Sequence, residues 1–108
     1  MSKFKFNITG HCLVTGSSSG IGKAIALEFA SKGVPIVAVS KDKRALIKLK
    51  NEITSVFDVD CYILNKDLLD EESPLEIYNW CMDNKIDVQI LINNIFDRTY
   101  ESNGYFYT

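Results

Sequence analysis

The chain alternates short apolar runs with longer stretches in which apolar residues recur every three or four positions. The runs are nearly unbroken, which is typical of strands covered on both faces of a sheet. They read CLVTG from residue 12, PIVAVS from residue 35, CYIL from residue 61 and VQILIN from residue 88. Between the runs, the helical spacing predicts three helices. The predicted order of elements is therefore βαβαβαβ.

Each predicted helix carries an apolar stripe that should face the sheet. The stripes are Ile21, Ala24, Ile25 and Phe29 in the first helix, Leu46, Leu49, Ile53 and Val56 in the second, and Leu75, Tyr78 and Met82 in the third. Gly33 is a stop signal for the first helix. The third helix is predicted to begin at Ser73, Pro74 and Glu76 as N-cap, first-turn proline and capping-box glutamate.

Strands that alternate with helices at this pitch predict a parallel sheet with right-handed crossovers. The fold class is α/β: a Rossmann-like half of a doubly wound domain, with four strands in the order 3-2-1-4 and three helices. A length of 108 residues suits one domain over residues 1–108, without a linker or second domain. Residues 98–108 form a polar and aromatic tail whose structure the pattern does not predict.

The composition argues against several classes of protein. A net charge of -2 argues against a general nucleic-acid binder, because phosphate neutralisation needs a basic excess. Cys12, Cys61 and Cys81 are odd in number and widely spaced, which indicates neither a disulfide framework nor a metal site and favours a reducing compartment. No apolar run approaches the roughly 20 residues of a membrane span. We therefore expect a cytoplasmic protein without membrane or nucleic-acid partners.

The stretch TGSSSGIG, residues 15–22, connects the first strand to the first helix. Free N–H groups at a helix start favour an anion, and glycine lets the backbone approach a pyrophosphate closely. Gly16, Gly20 and Gly22 have that character, while the serines at 17–19 can donate further hydrogen bonds. A merely flexible turn is the alternative, but the position in the first βαβ unit favours a ligand site. The stretch lacks the Lys-Ser/Thr ending of a P-loop.

The spacing Thr-Gly-x-x-x-Gly-x-Gly resembles the cofactor motif of the short-chain dehydrogenase/reductase family. Three further positions agree with that family in order and spacing, from about Gly10 to Asn94. Asp67 with Leu68 resembles the pair that contacts adenine, Asn93 with Asn94 resembles the start of Asn-Asn-Ala-Gly, and Lys41 stands where NADP-preferring members place Arg or Lys. The resemblance implies a cofactor site of Thr15, Gly16, Ser17, Ser18, Ser19, Gly20, Ile21, Gly22, Ser40, Lys41, Arg44, Asp67, Leu68, Asn93 and Asn94.

The end of the second strand bears on the choice of cofactor. An acidic residue there would hydrogen-bond the ribose diol of NAD and repel the 2′-phosphate of NADP. This chain has Ser40 and Lys41 instead, with Arg44 one helical turn further, which favours NADP over NAD. The alternative is that Asp42 serves as the NAD-type acid. We expect Asp42 to cap the second helix, as Asp before an apolar periodic stretch usually does.

In the resembled family, catalysis requires a Tyr with a Lys four residues later on a helix, together with a serine. The only Tyr-x-x-x-Lys here joins Tyr62 to Lys66 on the third predicted strand, where four residues span roughly 13 Å. No lysine follows Lys85. The fourth motif also departs from the family, because Ile95 and Phe96 replace Ala and Gly. The sequence therefore offers no catalytic residue.

Two hypotheses follow from this inventory. The chain is either the NAD(P)-binding portion of a short-chain oxidoreductase without its Ser/Tyr/Lys segment, or a non-catalytic or vestigial dinucleotide-binding or oligomerisation module. A different nucleotide-binding activity on the same half-fold has no residue in its favour. The unpaired edge of the fourth strand and the apolar face beside it predict a homo-oligomer, or the tail from Tyr100 to Tyr107 folded back over that face.

Overall fold

A computed structural model describes residues 10–94. Its elements, in chain order, are β1 (His11–Thr15), α1 (Gly20–Ser31), β2 (Ile36–Ser40), α2 (Lys43–Val56), β3 (Cys61–Asn65), α3 (Ser73–Asp83) and β4 (Val88–Ile92). All pairings are parallel and the strand order is β3-β2-β1-β4. The predicted fold class, strand order and three helices are confirmed. The predicted tail, with Ile95 and Phe96 before it, lies outside the described residues.

The sheet separates two apolar layers. β2 lies between β1 and β3 and is buried along its whole length. On one face, α1 and α2 pack on Cys12, Ile36 and Ala38. On the other face, α3 packs on Leu13 and Val37. Within the described range, no helix has both the length and the apolar character needed to cross a membrane.

α1 approaches the sheet through small residues, which corrects the predicted stripe. Its buried residues are Gly22, Ala26 and Ala30, one per turn, whereas Ile21 is 71% exposed. Side chains this small let the helix backbone come close to the strands, so the large apolar side chains take the flanks. Helical spacing alone identified the helix but not the face it buries.

The apolar stripe predicted for α2 is largely confirmed, and the stripe predicted for α3 is wrong. α2 buries its three predicted leucine and isoleucine residues, while Val56 at its end is exposed. α3 buries Ser73, Ile77 and Cys81 instead of its predicted stripe. The predicted residues Leu75, Tyr78 and Met82 are 64%, 59% and 60% exposed. α3 therefore has two apolar faces, of which only one contacts the sheet.

The start of α3 also differs from its prediction. Pro74 lies in the first turn as expected, but the residue before the helix is Glu72. The Ser73 hydroxyl donates to the backbone carbonyl of Asp67 at 2.7 Å, so it does not cap the helix. The Glu76 carboxylate pairs with the Lys66 ammonium group. Both side chains of the expected capping box thus bind the β3–α3 loop rather than the end of the helix.

Candidate functional site

The candidate site residues meet at one edge of the sheet because the carboxyl ends of parallel strands lie together there. Hydrogen bonds join these ends in pairs. The hydroxyl groups of Ser18 and Ser40 lie 2.7 Å apart and connect the glycine-rich turn to the end of β2. The Thr15 hydroxyl donates to Asn93 Oδ1 at 3.0 Å and connects β1 to the chain after β4. Hydrogen bonds between polar side chains therefore connect neighbouring parts of this edge.

The three glycines of the turn meet different requirements. Gly16 has a φ of +60°, and a Cβ atom there would overlap the carbonyl oxygen of Asn94. Gly22 sits so close to the turn that a Cβ atom would overlap the carbonyl oxygen of Gly16. Gly20 has a φ of +59° but faces open space, with no described atom within 4 Å of a Cβ position. Gly16 and Gly22 are therefore required by close backbone contacts, and Gly20 leaves open space on the outer side of the turn.

The first turn of α1 presents its backbone N–H groups without a side-chain cap. Ser19, the residue before the helix, is extended and its hydroxyl makes no capping hydrogen bond, and no acidic residue lies in the first turn. The first N–H groups of a helix have no partner inside the helix, and the helix dipole adds partial positive charge there. Beside them, Ile21 is exposed. This helix start is suited to an anionic ligand.

Ser17 has a position unlike those of its two neighbours. It is fully buried, and both its N–H group and its hydroxyl donate to the carbonyl oxygen of Val39 at 3.3 Å. This side chain thus anchors the turn to β2. Ser18 is partly exposed and Ser19 is exposed, so the outer part of the turn is formed by these two serines and Gly20.

A short chain of hydrogen bonds orients the Ser18 hydroxyl. The backbone N–H of Asp42 donates to Ser40 Oγ at 3.1 Å, and Ser40 Oγ lies 2.7 Å from Ser18 Oγ. When the single Ser40 proton is donated to Ser18, the proton of Ser18 stays available for a ligand. Cooperative polarisation along such a chain strengthens each bond in it.

Asp42 caps α2, as the sequence predicts. Its Oδ1 accepts a hydrogen bond from the Ala45 N–H at 3.1 Å. Lys41 and Arg44 flank it and are exposed. Over residues 10–94, neither basic side chain forms an ion pair. The end of β2 therefore offers two exposed cations beside a carboxylate already bound to its own helix.

The loop after β3 is held by its own hydrogen bonds. Asp67 Oδ1 accepts from the Leu69 N–H at 3.0 Å, and the Asp67 carbonyl accepts from the Asp70 N–H and from Ser73. Leu68, partly buried, packs against the core on the α3 side. The Asp67 and Leu68 backbone is thus fixed at the same edge as the glycine-rich turn.

The residues after β4 brace the turn. The backbone N–H of Asn94 donates to the Thr15 hydroxyl at 2.8 Å, and the Asn94 side-chain amide donates to the Gly16 carbonyl at 3.5 Å. Asn93 is exposed except for its bond to Thr15. The two asparagines therefore divide their tasks, since Asn94 positions the turn and Asn93 stands at the surface.

Asn65 belongs to the site as well, and sequence reasoning missed it. Its side-chain amide donates to the Ser40 carbonyl at 3.1 Å, and the Lys66 backbone N–H donates to the same oxygen. The signal was a polar residue that ends an apolar run, as Asn93 does after β4. Its role depends on β3 lying beside β2.

Tyr62 and Lys66 are not arranged as a catalytic pair. Tyr62 lies on β3 as predicted, with its ring 5.8 Å from the ring of His11 and 5.7 Å from that of Trp80. Lys66 pairs with Glu76 instead. The tyrosine therefore belongs to an aromatic cluster, and the lysine to the β3–α3 loop.

Comparison with known proteins shows the family to which the chain belongs. A family model described as short chain dehydrogenase matches residues 10–95. The chain is 33% identical over 96 residues to a very-long-chain 3-oxoacyl-CoA reductase of Candida glabrata, an alignment that covers 87% of this chain and 27% of that protein. The chain belongs to the short chain dehydrogenase family. It spans about a quarter of the length of this curated relative.

The chain also superposes on solved structures of a reductase and an alcohol dehydrogenase. An L-sorbose reductase from Gluconobacter frateurii, solved as a complex with NADPH and L-sorbose, superposes with a TM-score of 0.75 at 30% identity, over 79% of this chain and 32% of that one. An alcohol dehydrogenase from the archaeon Thermococcus sibiricus, complexed with 5-hydroxy-NADP, gives a TM-score of 0.72 at 26% identity, over 76% of this chain and 35% of that one. Both superpositions cover about three quarters of this chain or more, and about a third of the other chain.

Proposed function

We propose that this chain binds a nicotinamide dinucleotide at the carboxyl edge of its sheet, with NADP preferred over NAD. The observation that carries the proposal is the uncapped start of α1 beside Gly20, whose outer side is open. A pyrophosphate at this place receives the free N–H groups of the helix and the favourable end of its dipole. The Ser18 hydroxyl adds a donor beside it. No other described helix combines an uncapped start with a glycine-rich turn at this edge of the sheet.

The preference for NADP rests on charge at the end of β2. Lys41 and Arg44 supply two exposed cations for a 2′-phosphate, and exposed cations attract that group as long as the ionic strength is low. Asp42 is the acid between them in the chain, and one of its oxygens caps α2. The relatives solved with NADPH and 5-hydroxy-NADP favour the same cofactor class.

The proposed reaction class is hydride transfer between this cofactor and a carbonyl or alcohol substrate. When bound, the cofactor would donate a hydride to a carbonyl or accept one from an alcohol, and this chain would supply the surface that holds its adenine and pyrophosphate end. A proton donor is also required, and Tyr62 cannot serve because its ring packs between His11 and Trp80. We therefore propose catalysis only for a polypeptide or assembly that adds the proton donor to this cofactor-binding part.

The experiment is a calorimetric titration of the chain with NADPH and with NADH. We expect micromolar dissociation constants, with NADPH bound more tightly than NADH. Gly20→Ala should weaken NADPH binding by about tenfold or more, because its methyl group projects into the space left for the ligand. Gly33→Ala is the matched control: Gly33 also has a positive φ, +85°, and faces open space, but it follows α1 at the opposite end of the helix.

The control should lose a similar amount of stability and bind NADPH like the parent chain. Absence of binding by the folded parent chain would contradict the proposal. So would equal affinities of the Gly20 and Gly33 variants, since the uncapped helix start would then not hold the nucleotide.

A further inference from the structure

A groove runs along the sheet face beside α3, and we name it the α3–β4 groove. Its floor is formed by Leu13, Val88 and Leu91, its wall by Ile77, Tyr78 and Cys81, and its volume is about 360 Å³. Thr15, Leu68 and Asn93, which belong to the predicted cofactor site, also line it. Leu13 and Val88 lie nearer the amino ends of their strands, so the groove adjoins the proposed cofactor site and extends from it along the face of the sheet.

A bulge in the pairing of β1 with β4 makes the floor apolar. His11 pairs with Val88 and Cys12 with Ile90, so Gln89 is the extra residue. Since successive side chains in a strand point to opposite faces, the extra residue places Val88 and Leu91 on the same face. Leu91 is 64% exposed although its partner on β1, Leu13, is buried.

One residue of the exposed stripe of α3 lines the same groove. Tyr78 lines it, and Leu75 and Met82 lie one turn before and after Tyr78 on the same side of the helix. A helix with a second apolar face is normally covered on that face by another element. Within the groove, Tyr78 and Leu91 are both exposed, and exposed apolar side chains that line one groove mark a contact surface.

The path of the chain shows which segment can reach this surface. The connections through α1 and α2 move toward the β3 edge and pass on one face, whereas the connection through α3 moves toward β4 and passes on the other. A right-handed connection that continues beyond β4 in this direction passes on the α3 face. A connection of this hand would pass over the groove.

Residues 95–108 have the length and composition to fill it. Fourteen residues extend to roughly 46 Å, or about 21 Å as a helix, whereas a five-residue strand such as β4 is only about 17 Å long. The segment contains five aromatic residues, Phe96, Tyr100, Tyr105, Phe106 and Tyr107. It follows Asn94 directly in the sequence, and Asn93, just after β4, lines the groove.

We propose that residues 95–108 of the same chain occupy the α3–β4 groove through their aromatic side chains. The occupant is intramolecular because it is tethered at the mouth of the groove, where its effective concentration far exceeds that of a second copy in dilute solution. The contact covers the exposed faces of Tyr78 and Leu91 and shields the thiol of Cys81 in the wall.

Cys81 reports on this contact in the full chain. Its rate of alkylation by iodoacetamide is compared between the parent chain and the triple variant Tyr105→Ser, Phe106→Ser, Tyr107→Ser. We expect about tenfold faster alkylation in the variant, because local opening no longer requires release of the segment. Cys12 and Cys61, buried in the other layer, should keep their slow rates. The control Phe4→Ser, Phe6→Ser removes aromatic residues from the other end of the chain and should leave all three rates unchanged.

Equal Cys81 rates in parent and triple variant would overturn the proposal. Protection of Cys81 that increases with protein concentration would also overturn it, in favour of a second copy as the occupant. A second measurement is independent of how well the variant folds. In the parent chain, nuclear Overhauser effects are expected from the Leu91 methyl groups to aromatic rings of residues 95–108, and they should persist on dilution. Their absence would contradict the proposal.

Discussion

The hydroxyl of Thr15, the last residue of β1, accepts a hydrogen bond at 2.8 Å from the backbone N–H of Asn94, just after β4. The two residues are 79 positions apart in the chain. Thr15 is buried, and its hydroxyl also donates to Asn93 Oδ1. One side chain therefore joins both asparagines to the start of the glycine-rich turn, and the shape of the proposed cofactor site depends on it.

Replacement of Thr15 by valine tests this link. The valine keeps the shape of threonine but leaves the Asn94 N–H without its acceptor, which should lower the free energy of unfolding by about 1–3 kcal/mol. Thr15→Ser retains the oxygen and should recover most of the loss. Thr54→Val, which removes an exposed hydroxyl bonded to the Lys50 carbonyl of its own helix, is the control and should cost well under that amount. Urea unfolding measures all three, and equal losses for the Thr15 and Thr54 variants would show that the link carries no stability.

Gly22 should be harder to replace than Gly20 for reasons of packing. A methyl group there meets the backbone carbonyl of Gly16, which cannot swing aside as a side chain can. We expect Gly22→Ala to destabilise the fold by about 1–3 kcal/mol. For Gly20→Ala, only the backbone strain of a positive φ is expected, about 1–2 kcal/mol. Thermal unfolding of both variants checks the order, and a Gly22 variant as stable as the parent would show that α1 can move away from the turn.

The fold could be read from the sequence because every element has a local signal. The strands are short apolar runs and the helices have helical spacing, and once the order βαβαβαβ is known the right-handed crossover rule leaves few arrangements. The capping role of Asp42 was likewise local, since its partner Ala45 is three residues away. The glycine-rich turn was recognisable because the backbone conformation itself requires glycine at 16 and 20.

The predictions from sequence were wrong or incomplete for features that depend on contacts between residues far apart in the chain. The buried face of α1 is decided by how closely the helix packs on the sheet, so Ala26 and Ala30 are buried and Ile21 is exposed. Asn65 has a role only because β3 lies beside β2, where its amide reaches the Ser40 carbonyl 25 residues earlier. Ser73 matched a capping motif, yet the Asp67 carbonyl competes successfully for its hydroxyl.

Buried thiols should make the stability of the chain fall at high pH. Burial raises the pKa of Cys12 from 9.0 to about 11 and does the same for Cys61, where Lys50 partly opposes it. The unfolded thiol then ionises before the folded one, so the stabilisation is complete below pH 9 and is lost as the pH rises toward 11. Between pH 8 and pH 10 each thiol should contribute a loss of about 1 kcal/mol. In urea unfolding, Cys12→Ala should show a fall smaller by that amount, and an unchanged fall would contradict the assignment.

Lys41 should determine cofactor preference more than affinity for dinucleotides in general. It is exposed at the end of β2 and forms no ion pair among the described residues, so its charge is available for a 2′-phosphate. We expect Lys41→Gln to weaken NADPH binding about three- to tenfold and to leave NADH binding unchanged. Lys48→Gln, which removes an exposed lysine further along α2, is the matched control and should change neither affinity.

The salt dependence of the same titrations distinguishes a direct contact from a general field. A contact between Lys41 and the phosphate makes NADPH binding weaken with added salt in the parent chain, and less so in the Lys41 variant. A parallel loss of NADH affinity in that variant would mean that Lys41 supports the shape of the edge rather than the 2′-phosphate. Asp42→Ala offers the complementary case, because it removes the cap of α2 together with the carboxylate next to Lys41. It should lower stability by about 1 kcal/mol while NADPH binding is kept or strengthened, whereas loss of NADH binding alone would identify Asp42 as an NAD-type acid after all.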